Sequence, residues 1–366
     1  MGFNCGIVGL PNVGKSALFN ALTATEAAEA AKYPFSTKEP NIGRVAVPDE
    51  RLDVCARLAK SKKIVPTQLE FVDIAGLVRG ASQGQGLGNQ FLGYLREIDA
   101  IAHILRCFDD DNIVHVEGSV DPIRDAETVE TELMLADLDS LERRTLALQK
   151  RARGGEREAK AQLEVLEPAL LALRDGRPAR MAEIAPERWR DLAAQQLLTT
   201  KPILYIANVD EDSAAGGNAM SRRVAEYAAA QGAPSVVIAA GIEAELSILA
   251  DPAERREFLA ALGLAETGLD QVIRTGYRLL DLITFLTAGP KEARAWTITA
   301  GTKAPQAAGT IHTDFEKGFI RAETIAYADF VACGGEQGAK DSGKMRLEGA
   351  DYVVRDGDVM HFRFNV

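Results

Sequence analysis

The stretch Gly9–Ser16, "GLPNVGKS", satisfies G-x-x-x-x-G-K-[ST]. It follows the apolar run Cys5–Leu10, which reads as a strand, and opens "ALFNALT", which reads as a helix. At average composition the pattern arises by chance in roughly one chain of this length in a hundred, before that strand and helix context is demanded. A phosphate loop is therefore the expected structure. Backbone N–H groups of Asn12, Val13, Gly14, Lys15, Ser16 and Ala17 would converge on phosphate oxygens at the helix N-terminus. Lys15 would reach the terminal phosphates and assist their transfer, and the Ser16 hydroxyl would bind Mg²⁺.

Working outward, apolar runs recur at Gln68–Ile74, Ala100–Cys107, Ile203–Val209 and Ser235–Ala240, mostly with helix-forming sequence between them. That alternation predicts an α/β fold with a largely parallel sheet covered by helices. "FVDIAGL" ends one of these runs with Asp73, placed to orient the metal shell, and Gly76, placed to contact the terminal phosphate. In "YPFSTKEPN", Thr37 offers a second hydroxyl for Mg²⁺ in the loop between these two motifs, where a turn residue is the other reading. The glycine-rich "LVRGASQGQGLGNQF" that follows Gly76 reads as a mobile switch segment.

A Ras-like enzyme has glutamine directly after D-x-x-G to orient the attacking water, whereas this chain has Leu77. Another group must then do that work. His115, in "DDDNIVHVEG" near the C-terminal edge of the sheet, is the polar candidate, although from position alone a lone histidine is more often structural. The base is expected at "NVDE", Asn208–Glu211. A guanine site has Asn-Lys-x-Asp here; this chain has Val209 for the lysine and Glu211 for the aspartate, so the guanine fork is displaced. Asn208 keeps an amide able to meet adenine, and ATP is the expected substrate, with weaker use of GTP.

Between residues 121 and 200 the alternation stops. Met134, Leu138, Leu141, Thr145 and Leu148, then Leu163, Leu166, Leu170 and Leu173, repeat at four-three spacing on either side of Gly154-Gly155. Two antiparallel helices with a tip at "RARGGERE" would bury those seams together. After Asp281 short β-like runs, "AWTITA", "FIRAETIAY" and "DVMHFRFNV", mark a small α+β domain of roughly 80 residues.

The 366 residues carry a net charge of −11, which argues against a protein that coats nucleic acid through its global field. The hairpin tip is the exception: Arg143, Arg144, Lys150, Arg151, Arg153, Arg157 and Lys160 outnumber Glu142, Glu156 and Glu158. Such a run is a solvated face or a local contact with RNA phosphates. The four cysteines are scattered, so neither a disulfide framework nor a zinc site is indicated. No apolar run approaches the roughly 20 residues of a membrane span, and a cytoplasmic protein is expected.

Taken together, "GLPNVGKSALFNALT", "YPFSTKEPNIGRV", "DIAGLVRGASQGQGLGNQFL", "RCFDDDNIVHV", "NVDE" and "APQAAGTIHTDFEKGFIRAETI" resemble the YchF subfamily of Obg-like ATPases over essentially the whole chain. The resemblance implies a P-loop nucleotide-binding domain over 1–120 and 201–281, an inserted coiled-coil domain over 121–200, and a C-terminal TGS domain of β-grasp type over 282–366. It also implies slow ATP hydrolysis with a histidine at His115 in place of glutamine, and K⁺ held against the phosphates with the help of Asn12, for which capping the loop is the alternative. Binding by a monomer to the ribosome or its 50S subunit, with a regulatory role in translation or stress, is implied as well. Two other readings stand beside it: an Obg-type GTPase of ribosome assembly, and an ATP-sensing protein with negligible turnover.

Overall fold

The computed structural model describes residues 3–27, 41–74, 87–249 and 251–365. Two compact units result: Met1–Val45 with Glu70–Gly276, and Ala46–Leu69 with Tyr277–Val366. In chain order the elements begin with β1 (Asn4–Val8), α1 (Lys15–Ala27), β2 (Asn41–Ala46), α2 (Glu50–Ala59), β3 (Ile64–Val65) and β4 (Gln68–Asp73). There follow α3 (Leu87–Glu97), β5 (Ala100–Arg106), α4 (Pro122–Arg153), α5 (Arg157–Arg174), α6 (Trp189–Ala193), β6 (Ile203–Asn208), α7 (Ala219–Ala230), β7 (Ser235–Ile238), α8 (Ala240–Ile248), α9 (Pro252–Ala261) and α10 (Gly268–Leu279). The last stretch holds β8 (Leu282–Ala288), β9 (Ala293–Thr299), α11 (Ala304–Ile311), α12 (Thr313–Lys317), β10 (Phe319–Ala326), β11 (Arg346–Glu348) and β12 (Asp358–Phe364).

In the first unit the strand order is β2-β4-β1-β5-β6-β7. β1 runs parallel to β4 and β5, β5 to β6, and β6 to β7. β5 and β6 are buried along their whole length, as continuous apolar runs in a sheet covered on both faces should be. Ile7 lies opposite Asp73, and Arg106 opposite Asn208. The phosphate loop, Asp73, Arg106 and Asn208 thus gather at the C-terminal edge, where open α/β sheets bind ligands.

α4 starts where the sequence provides a cap: Asp121 accepts from Ile123 N at 3.2 Å, and Pro122 takes a first-turn position where no N–H is needed. Its 32 residues extend about 48 Å. α5 returns antiparallel after Gly154 and Gly155, and the expected seams meet in one cluster containing Leu141, Leu148, Leu163, Leu166, Leu170 and Leu173. At its root α4 is fastened by buried polar groups. Glu130 accepts from the Tyr205 hydroxyl on β6 and from Arg180, and Asp137 accepts from the Leu198 and Thr199 N–H groups at 2.9 and 2.8 Å.

The second unit has strand order β11-β10-β12-β8-β9-β3. β10 pairs antiparallel with β11 and β12, and β8 with β9, whereas β12 pairs parallel with β8 and β3 with β9. Residues 46–69 pack here although the sequence places them between the phosphate loop and Asp73. The cause is the apolar face of α2: Leu52, Cys55 and Ala56 form a core with Leu286, Ala295, Ile325 and Phe330. Arg51 adds an ion pair to Asp356 at 2.7 Å. No helix of the described residues is long and apolar enough to cross a membrane.

Candidate nucleotide-binding site

The loop between β1 and α1 depends on close approach. Gly14 has φ of +99°, and a Cβ there would lie 2.3 Å from Asn208 Nδ2; a Cβ on Gly9 would lie 2.7 Å from the Ile104 carbonyl oxygen. Asn12 also takes a left-handed conformation, with φ of +62°. Val13 is buried and turns its carbonyl to Asn208, whose Nδ2 donates at 3.0 Å. Lys15, Ser16 and Ala17 then open α1, so the loop N–H groups and the helix N-terminus share one anion-attracting end.

Lys15 donates from Nζ to Asp73 Oδ1 and to the Ile74 carbonyl, both at 2.7 Å. The two side chains are only 13% and 15% exposed, so this ion pair ties the phosphate loop to the end of β4 in a poorly solvated place. Ser16 supplies a hydroxyl and Asp73 a carboxylate, the hard oxygen donors that Mg²⁺ takes alongside phosphates and water. Thr37, Gly76, Leu77, Gly80, Gly84 and Gly86 lie outside the described residues, whereas the end of the expected switch segment, from Leu87 and Gly88 on, is helical and begins α3.

A cleft of about 1110 Å³ runs from this loop toward β6. Its phosphate end is lined by Asn12, Gly14, Lys15, Ser16 and Ala17, and its far end by Phe108, Asp109, Asp110, Ile113, Asn208–Asp212, Ala240 and Gly241. Asn208, 3% exposed, also accepts at Oδ1 from Ala240 N at 3.0 Å. Its amide therefore joins the phosphate loop to the first turn of α8, with one N–H and one lone pair left for a ligand. Asp210 accepts from Ser213 N at 2.9 Å and caps a short turn, which leaves Glu211 to lie against α8: a Cβ on Gly241 would come within 2.8 Å of Glu211 Oε1. Val209 is buried.

Several wall residues were not singled out from the sequence. Arg106 is 1% exposed and donates to the carbonyls of Phe108 at 3.1 Å, Ile113 at 2.8 Å and Asp110 at 3.1 Å, with its guanidinium 4.7 Å from the Phe108 ring centroid. It folds the loop after β5 into the cleft wall. An arginine ending the otherwise apolar "AIAHILR" is the signal that could have found it. Ala240 and Gly241 carried no such signal, because only their backbone and small size matter.

His115 sits on that same loop but turns away from the cleft. Its side chain is 4% exposed, Nε2 lies 2.8 Å from Asp125 Oδ2 on α4, and Nδ1 accepts from Glu117 N at 3.1 Å. A ring nitrogen that accepts an N–H carries no proton, so the proton is on Nε2 and is donated to Asp125. The loop meets the phosphate loop through its backbone instead: Asn12 Nδ2 donates to the Val114 carbonyl at 3.1 Å.

Comparison with known proteins finds relatives over the full length of the chain. A family model described as a 50S ribosome-binding GTPase matches residues 4–150, and the YchF GTPase C-terminal model, described as a protein of unknown function, matches residues 282–365. The chain is 57% identical to the ribosome-binding ATPase YchF of Haemophilus influenzae and 52% identical to that of Bacillus subtilis, in each case covering 100% of both chains. The solved structure of the Schizosaccharomyces pombe YchF GTPase is similar with TM-score 0.87 and 37% identity, covering 99% of this chain and 97% of that one. A GTP-binding protein from Pyrococcus horikoshii shares the fold with TM-score 0.62 and 20% identity, covering 99% and 100%.

Proposed function

The chain belongs to the YchF family of P-loop nucleotide hydrolases, and from that membership we propose that it is a nucleotide-switched ATPase that binds the ribosome through its large subunit. The observation that carries the choice of ATP is the base end of the cleft. Asn208 spends one N–H and one lone pair on holding the phosphate loop and α8 together, and the N–H and lone pair that remain can meet a purine but do not exclude guanine, so discrimination falls to Val209 and Glu211. Val209 gives no lysine stem to cover guanine, and Glu211 carries its carboxylate over Gly241 rather than at the reach of an aspartate. A site without a well-placed acceptor pair loses the hydrogen bonds by which guanine is selected.

Lys15 complements the terminal phosphates, while Ser16, Asp73 and Thr37 are the proposed Mg²⁺ partners and Gly76 the proposed γ-phosphate contact. When bound, Mg²⁺ neutralises the charge that develops between the β- and γ-phosphates. Asn12 would contribute its side-chain oxygen to K⁺, its amide nitrogen being engaged by Val114. His115 orients the water in place of the missing glutamine, which requires its ring to leave Asp125.

The basic hairpin tip supports a contact with ribosomal RNA. Lys150, Arg153, Arg157 and Lys160 are exposed there, and among the described residues no ion pair occupies them, whereas Arg151 is paired with Glu156. We assign 121–200 as this contact arm, 1–120 with 201–281 as the nucleotide domain apart from residues 46–69, which pack with the C-terminal unit, and 282–366 as a TGS domain, in a cytoplasmic monomer that regulates translation or the stress response. Displacement of a fluorescent ATP analogue by ATP and by GTP at fixed Mg²⁺ tests the substrate. ATP is expected to compete at lower concentration, and tighter binding of GTP would favour the Obg-type GTPase reading.

A further inference from the structure

His115 is held by α4 from one side and by its own loop from the other. Asp125, 0% exposed in the first turns of α4, places Oδ2 2.8 Å from His115 Nε2, and its Oδ1 accepts from Arg124 Nη2 at 3.1 Å. Arg124 also reaches back to the loop, donating from Nη1 to Ser119 Oγ at 2.9 Å and from Nη2 to the Ser119 carbonyl. The loop closes on itself where Gly118 N donates to the His115 carbonyl at 3.0 Å and Glu117 N donates to Nδ1. Both ring nitrogens are thus occupied, the ring is 4% exposed, and Ile113 rather than His115 lines the cleft.

We propose that Asp125 is a positioning residue for the hydrolytic reaction: it fixes His115 in the Nε2–H tautomer and withholds the ring from the cleft until the hydrogen bond between them breaks. The inference rests on the reading of His115 as the water-orienting group. The chemistry favours a strong hold, because a hydrogen bond to a carboxylate is roughly twice as strong as a neutral one and this pair is shielded from water. The α4 N-terminus adds its positive end beside the carboxylate. An imidazole with both nitrogens engaged has nothing left to offer a water at the γ-phosphate. Turnover is therefore limited by the fraction of molecules in which His115 has left Asp125.

The four histidines provide the test. In the full-length protein, diethyl pyrocarbonate modification is followed residue by residue by peptide mass spectrometry. His312 and His361 are exposed and report reagent activity, while His103 is 0% exposed and reports global unfolding. In the parent protein His115 is expected to react at least about tenfold more slowly than His361. Asp125→Ala should raise His115 reactivity about tenfold or more with His103 still protected, and should speed single-turnover ATP hydrolysis in a manner abolished by adding His115→Ala. Asp125→Asn retains the shape and a weaker acceptor, so it should move both readouts in the same direction by less; it serves if His103 of the alanine variant becomes reactive. Unchanged His115 reactivity in both variants, or slower hydrolysis with His103 protected, would overturn the proposal. Raised reactivity with hydrolysis insensitive to His115→Ala in every background would support the hold by Asp125 and refute the hydrolytic role of His115.

Discussion

Asn208 and Val13 are 195 residues apart and joined by one buried hydrogen bond of 3.0 Å, so the loop that cradles phosphate and the strand end that meets the base form one unit. The second arm of the same amide, to Ala240 N at 3.0 Å, carries the linkage into α8. Asn208→Ala would leave a buried carbonyl and a buried N–H without partners, a cost of about 2–4 kcal/mol. Urea denaturation should show that loss, and titrations should show ATP and GTP affinity falling together. Unchanged stability with an altered ATP-to-GTP ratio would instead make Asn208 purely a reader of the base.

The same contact forbids a side chain at position 14. Gly14→Ala would place Cβ 2.3 Å from Asn208 Nδ2 at a backbone φ of +99°, so the loop or Asn208 must move. Nucleotide affinity is expected to fall at least about a hundredfold, since such a shift disperses the converging N–H groups. Isothermal titration with a non-hydrolysable ATP analogue measures it; near-normal affinity would show that the loop does not depend on this approach.

Glu243, in the first turn of α8, is 2% exposed, and burial pushes its carboxyl up to about 7, against the N–H donors of Gly268 and Leu269 that act the other way. The folded state therefore holds a proton that the unfolded chain has released. Its stabilising contribution is complete below the ordinary value of 4.5 and is lost as pH rises through about 7. Glu243→Gln stays neutral throughout, so it should gain on the parent protein between those pH values, by up to about 3 kcal/mol at pH 8. Parallel stability curves for the two proteins from pH 4.5 to 8 would contradict this.

At the far end of α4, Arg153, Arg157 and Lys160 are exposed cations at or beside the tip. Replacing all three by glutamine should weaken ribosome association and reduce the slope of log affinity against log salt by about 2–3, one for each phosphate no longer neutralised. ATP hydrolysis by the free protein should be unaltered. Sedimentation with ribosomes across a salt series reads the slope, and an unaltered slope would exclude the tip as the RNA-binding element.

What could be read from the sequence was local. The phosphate loop is a contiguous signature, and the runs at Gln68, Ala100, Ile203 and Ser235 begin strands at those same residues, those at Ala100 and Ile203 as near-continuous apolar runs because a fully buried strand has no polar side. The seam from Leu141 to Leu173 was legible from its period. What escaped depends on groups distant in sequence. α2 packs on β8 and β9 through three small or medium apolar residues, and nothing in "ERLDVCARLA" names that partner. The Asn208 clamp, the carbonyl-binding role of Arg106 and the hold of Asp125 on His115 exist only once separate segments are brought together. Histidine at position 115 was visible as a candidate, but its orientation toward α4 was not.

Whether the protein is an ATPase that hydrolyses through His115 is decided by single-turnover release of phosphate from ATP and from GTP, with and without saturating ribosomes, in the parent protein and in His115→Ala. Release from ATP is expected at lower nucleotide concentration than from GTP, with His115→Ala slowing the step at least about tenfold while ATP affinity is retained. Equal rates in the two proteins, or release from GTP alone, would contradict that reading.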